Sequence, residues 1–145
     1  MSEQSGPTPR GLTTRELEQL LLEQRFGVLA TVRRNGHPAM STVSYRWSAA
    51  ERVIRISTTA DRLKARQVRN DPRVALHVRG DDVWSFAVAE GEARVSDQPE
   101  ELLAFAGQVD DVPAFLEQQA REQRVVITLS VSRLYGTALD VTPAP

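Results

Sequence analysis

The run FGVLATVRRNGHPAMSTVSYRW, residues 26–47, constrains the fold more than any other part of the chain. Two apolar, β-branched segments flank Asn35-Gly36, a pair in which both residues tolerate positive φ, so the sequence predicts a tight antiparallel hairpin. A turn over residues 48–51 leads into RVIRIST, with Val53 and either Ile54 or Ile56 facing inward, which makes three strands in a meander. In RVALHV, Val74, Leu76 and Val78 alternate with Ala75 and His77. VWSFAVAEGEARV, residues 83–95, reads as one long strand in which Gly91 marks a bulge or bend. RVVITLSV and RLYGTALDV, residues 124–131 and 133–141, read as two closing strands.

Helices occupy the gaps. Thr13-Thr14-Arg15-Glu16 fits a capping box, Leu12 and Leu17 fit the hydrophobic staple around it, and Leu17, Leu20 and Leu21 share one face of a helix over residues 14–24. ADRLKARQVRND predicts a short polar helix with Asp61 as N-cap, stopped by Pro72, which disfavours helix at Asp71. Residues 99–122 read as helical with a break around Val112-Pro113. Parallel strands would need a longer crossover between most neighbours, so short turns and small inserted helices point to a mainly β fold: an antiparallel six- to seven-stranded barrel, closed or split. The expected organisation is a flexible arm over residues 1–11, a single domain over 12–141 and a tail over 142–145.

Composition removes whole classes of chemistry. With no cysteine among 145 residues, disulfides, thiolate nucleophiles and Cys-ligated metals are excluded, and two histidines distant in sequence do not suggest a metal centre. A net charge of −1 gives no overall footprint for nucleic acid or an anionic membrane. The first residues lack a signal-peptide pattern and no apolar run is long enough to cross a bilayer, so the expected location is the cytoplasm. GxGxxG, P-loop, HExxH and GxSxG signatures are all absent. Any enzymatic chemistry is therefore expected from a bound cofactor.

One lysine, Lys64, stands among arginines in STTADRLKARQ, residues 57–67. A strand ending in hydroxyls and leading into a helix presents unpaired N–H groups and the positive end of the helix dipole, a natural place for phosphate or carboxylate. Lys64 would add a compact charge there and Arg62 a planar fork. The competing reading is the solvated face of a surface helix, with Arg62, Lys64, Arg66 and Arg69 offset by Asp61 and Asp71. Local sequence leaves both open. Trp84 and Phe86, alternating with Ser85, and Tyr45 with Trp47, serve either as core or interface aromatics or as walls for a flat ligand. His37 beside a turn reads as a surface residue and His77 as one that fills or edges a core. Asp81-Asp82 is a poor calcium site.

The order and spacing of K-x-R-x-x-R-x-D-P-R, residues 64–73, and W-S-x-A-V-A-E-G, residues 84–91, together with the opening hairpin, resemble the pyridoxamine-phosphate-oxidase-like flavin-binding split-barrel superfamily. The chain is most similar to its actinobacterial branch that uses the deazaflavin coenzyme F420, over about residues 26–135. The resemblance implies a homodimer with the cofactor in a groove at the subunit interface. It implies that Arg62 and Lys64 approach the cofactor phosphate and that Ser57 and Thr58 line the ring and linker. Ser41, Thr42 and Val43 would lie beside the ring, with Trp84 and Ser85 at the edge of the same site. It implies hydride transfer from the reduced deazaflavin to a quinone, enone or tetrapyrrole, with no obligatory protein acid, so no catalytic residue is assigned. An FMN-dependent enzyme of the same fold and a non-catalytic flavin or F420 carrier are the alternatives. True pyridoxamine-phosphate oxidases close with a basic segment, whereas this chain has no basic residue after Arg133.

Overall fold

The computed structural model describes residues 8–140. Its elements are β1 (Thr8–Gly11), α1 (Thr14–Glu23), β2 (Phe26–Val32), β3 (Pro38–Ser44), β4 (Arg46–Ser48) and β5 (Val53–Thr59), followed by α2 (Leu63–Asn70), β6 (Arg73–Arg79), β7 (Phe86–Ser96), α3 (Pro99–Ala106), α4 (Val112–Arg121) and β8 (Arg124–Asp140). Eight strands form one antiparallel sheet in the order β3-β2-β6-β7-β8-β5-β4, with β1 paired to β8.

The expected meander is broken at Tyr45. Strands β3 and β4 lie at opposite edges of the sheet, yet a single residue separates them in the chain. The two edges must therefore approach each other there, which curls the sheet into a barrel split where β3 and β4 diverge. Tyr45 turns inward at the split, 5% exposed, and its hydroxyl donates to the Leu21 carbonyl at 2.6 Å. Burial drives the Tyr45 hydroxyl pKa upward, so it stays protonated and remains a donor.

The hairpin between β2 and β3 also differs from the two-residue turn expected. Only Gly36 adopts positive φ, at 88°, and the loop closes through Arg33 N–H to His37 O at 2.9 Å and Gly36 N–H to Arg33 O at 2.8 Å. This is a three-residue loop, Arg34 to Gly36, in which one left-handed residue follows a turn. Glycine alone occupies that conformation at little cost.

Inward residues of the sheet, among them Leu29, Ile54, Ile56, Leu76, Val78, Ile127 and Leu129, form one core cluster with Leu17, Leu20 and Leu21 of α1 and Val68 of α2. The alternation predicted for Val74, Leu76 and Val78 holds, as do the Thr13 capping box and the buried leucine face of α1. His77 lies on the opposite, exposed face, stacked on Phe86 at 5.1 Å. Val53, Ile54 and Ile56 are all buried, because the outer face of β5 is covered too.

Four further expectations change. Residues 8–11, placed in a flexible arm, pair with β8, while residues 1–7 and the tail lie outside the described residues. The two closing strands are one, β8, and the expected break at Ser132 is a bulge: Glu90 faces Arg133, Gly91 faces Val131, and Ser132 donates to the Glu90 carbonyl at 3.1 Å. A side chain at Gly91 would collide with the Ser130 carbonyl oxygen, so the glycine belongs to the bulge, as read from the sequence. The third helical region breaks at residues 107–111, and Asp111 caps α4 just ahead of Val112-Pro113. The sequence reads Trp84 and Ser85 as strand residues, but they precede β7 in a turn whose N–H groups donate to the Asp82 carboxylate at 2.8 and 3.0 Å.

Helix α3 is held on the outside of the sheet by Glu101. Its carboxylate accepts from Arg55 of β5 at 2.8 Å, from Arg94 of β7 at 2.7 Å and from Thr128 of β8 at 3.0 Å. Burial alone would raise this carboxyl, but those hydrogen bonds together hold it below its ordinary value of 4.5. A depressed carboxyl stabilises the fold above the ordinary value, and that contribution disappears as pH falls through the lower folded value. Glu101→Gln should cost about 1–2 kcal/mol at pH 7. In chemical denaturation, the gap to the native chain should narrow below pH 4.5; a gap independent of pH would reject the ionic clamp.

Candidate functional site: an electropositive groove at the start of helix α2

Pairing of β5 with β8 carries Thr59 beside Arg124, and Ala60 N–H donates to the Gln123 carbonyl at 2.9 Å. The chain then turns, with Arg62 N–H donating to Thr59 O at 3.1 Å, before α2 begins at Leu63. The expected N-cap is shifted: Arg62 holds that position with extended backbone, and no side chain caps the helix. Asp61 instead accepts from the Thr59 hydroxyl at 2.7 Å. That bond, helped by its own backbone N–H and by the charge of Arg62, lowers the Asp61 carboxyl below its ordinary range. The orphan donors of the first turn are thus left to a ligand or to water.

Two contacts fix α2 against the barrel. Val68 and Ala65 are buried, and the Thr31 hydroxyl of β2 donates to the Gln67 side-chain carbonyl at 2.6 Å. Between α2, the starts of β3 and β8 and the ends of β2 and β5 lies a groove of about 790 Å³. Arg33, Arg62, Lys64 and Arg121 bring positive charge to it, against Asp61 and Glu122. Glu122 lies 3.7 Å from Arg124, and Arg121 pairs with Glu117 at 3.5 Å. Arg33, Arg62 and Lys64 form no ion pair or side-chain hydrogen bond among the described residues.

Of the residues singled out in the sequence, Ser41, Arg62 and Lys64 meet in this groove. The others do not line it. Thr42 is exposed on β3 and Val43 belongs to the core at 7% exposure. Thr58 is buried and Ser57 is half-buried, paired across to Val125 and Val126. Trp84 projects into solvent at 61% exposure, and Ser85 lines a separate groove against α1. Sequence reasoning did not place Thr31, Arg33, Gln67, Arg121 or Gln123 here. Arg33 alone carried a local signal, flanking the hairpin turn; the rest arrive through strand pairing and helix docking. His37 is exposed as expected, and no group of three or more His, Asp or Glu residues suited to a metal occurs among the described residues.

The curled antiparallel sheet is a split-barrel fold. The family model for pyridoxamine 5'-phosphate oxidase matches residues 13–138, and the chain belongs to that family. Among solved structures, the conserved hypothetical protein Rv2991 of Mycobacterium tuberculosis superposes with a TM-score of 0.73 at 20% identity, covering 100% of this chain and 98% of that one. An F420 reductase matches at 25% identity with a TM-score of 0.60, over 81% of this chain and 94% of its own. A FAD-binding protein of Mesorhizobium loti matches at 17% identity with a TM-score of 0.63, over 89% and 96%.

The Thr31–Gln67 bond ties the groove to the barrel. Thr31→Val keeps the shape and removes the donor, so α2 should loosen by about 1 kcal/mol. The check is amide hydrogen exchange, which should quicken roughly fivefold across α2 and not in β8; unchanged protection in α2 would show that the bond does not hold the helix.

Proposed function

We propose that the chain is an oxidoreductase that binds coenzyme F420 through this groove and reduces a small electron-poor organic molecule of the quinone, enone or tetrapyrrole type. The observation that carries the reading is the uncapped start of α2 with Arg62 and Lys64 beside it, neither in an ion pair or side-chain hydrogen bond among the described residues. That donor set suits a phosphate: backbone N–H groups, a guanidinium fork and an ammonium converge on one volume. The F420 reductase at 25% identity supports the deazaflavin over other flavins.

When bound, the reduced deazaflavin supplies a hydride. This chain's own part is to hold and orient. Arg62, Lys64 and the first N–H groups of α2 would fix the phosphate, and Ser41 would offer a hydroxyl along the same wall. No obligatory acid is assigned to the groove, and solvent is the proton source in this reading.

A homodimer belongs to the same proposal. Phe26, Val28, Met40, His77, Phe86, Val88 and Tyr135 fall on one face of β2, β3, β6, β7 and β8 by register. Phe26 and Met40 on that face are 64% and 69% exposed. Interspersed on the same face with Thr42, Arg79, Glu90 and Arg133, these side chains offer a mixed partner surface. A second copy packed there would also offer a partner for the Trp84 side chain, which makes no hydrogen bond or ring contact among the described residues.

Titration of the purified protein with F420 and with FMN tests the cofactor. F420 should bind more tightly, and Lys64→Ala should weaken it about tenfold or more while reducing its salt dependence. Tighter FMN binding sinks the deazaflavin reading, and an unchanged Lys64→Ala affinity returns α2 to an ordinary solvated helix.

A further inference from the structure

Strands β7 and β8 are neighbours in the sheet, and Ser96 at the end of one pairs with Val126 near the start of the other. A tight turn would join them. The chain instead places residues 97–123 between them, with α3 and α4 on the path.

The two helices are held unequally. In α3, Leu102 is buried and Glu101 accepts from three strands. Arg46 adds to this hold, lying 5.8 Å over the Phe105 ring and donating to the Ala106 carbonyl at 3.4 Å. Helix α4 packs on α3 and β8 yet has no buried residue: Phe115, Leu116 and Gln119 are half-buried and the rest of the helix is exposed. Its side-chain bonds are its own, with Asp111 capping its start and Arg121 paired with Glu117. Among the described residues, no ion pair or side-chain hydrogen bond ties α4 to another element.

Left-handed backbone brackets the same helix. Gly107, at the end of α3, has φ of 81°, and Gln123, just after α4, has φ of 54°, a conformation uncommon for a residue with a side chain. At Gln123 the chain reaches the groove. The Gln123 carbonyl accepts from Ala60 N–H, and Arg121, Glu122 and Gln123 line the same volume as Arg62 and Lys64.

From these contrasts we propose that α4 is a hinged cover, swinging about Gly107 and the turn at residues 122–123 while α3 stays clamped, and that its lifting opens the groove at the start of α2. A helix with no buried residue gives up little apolar burial on leaving the sheet, so it opens without global unfolding. Lying down, its last turn closes one side of the groove, excludes water from what is bound there and sets the rate at which a ligand exchanges. The cover does not depend on which ligand the groove takes, and its tests use the ligand-free chain.

Amide hydrogen exchange at low denaturant is the first test. Residues 116–121 of α4 should exchange at a rate insensitive to denaturant, while residues 103–106 of α3 follow global unfolding. Access to the groove has its own reporter, because Lys64 is the only lysine in the chain. Its acylation by a small amine-directed reagent is measured against a free lysine analogue in the same solution. Two variants loosen α4 by different routes: Gly107→Ala strains the hinge, and Phe115→Ala/Leu116→Ala removes the half-buried face. Each should quicken α4 exchange and Lys64 acylation together, by about fivefold, with β8 protection unchanged. The cover is overturned by α4 and α3 exchanging as one unit in the native chain. It is equally overturned if neither variant quickens α4, or if α4 loosens and Lys64 still reacts at the native rate.

Discussion

The whole architecture depends on the continuity of the chain through Tyr45. Because β3 and β4 are one covalent run, the two edges of a long antiparallel path are tied at a single residue, and only a curled sheet satisfies that tie. Tyr45 secures the point from inside with its hydroxyl on the Leu21 carbonyl, which also fixes where α1 meets the barrel. Curling then creates an interior for α1 and α2 to close. Helix α1 enters at the start of β2, and α2 packs where β5 ends and β6 begins, so the two lie at opposite ends of the strands.

That placement explains why the groove is where it is. A helix plugging the end of a barrel buries one flank, here Ala65 and Val68, and turns the other toward the rim. The rim is built by strand ends and by the β2–β3 loop, so charges distant in sequence converge without any local motif. Glu101 shows the same principle in reverse: one carboxylate gathers donors from Arg55, Arg94 and Thr128 on three strands and so holds α3. The Glu101 cluster is fully paired, whereas Arg62 and Lys64 at the start of α2 form no ion pair among the described residues.

Legibility in the sequence followed the range of the interactions. The capping box at Thr13, the leucine face of α1, the alternation in β6 and the bulge beside Gly91 are local patterns, and each was readable. Ser132 shows the limit: the sequence signalled an interruption there, but whether the strand ends or bulges is decided by β7 lying alongside. The meander failed at Tyr45 because nothing local distinguishes a tight turn to the next strand from a divergence to the far edge. Arg62 and Lys64 were identified through their position after a strand. Arg121 and Gln123 were invisible because only the β5–β8 pairing brings them to the groove.

The lone lysine gains its meaning from this contrast. An overall charge of −1 predicts no affinity for anions, yet acidic residues elsewhere are engaged with particular arginines and leave the start of α2 electropositive. Lys64 is half-buried there, whereas Arg62 is exposed. Among the described residues Lys64 forms no ion pair, although Asp61 and Glu122 line the same groove. A small, strongly hydrated charge fits such a recess where a guanidinium would have to reach outward. The position therefore suits a group that supplies charge at short range, beside the open N–H groups of the same helical turn.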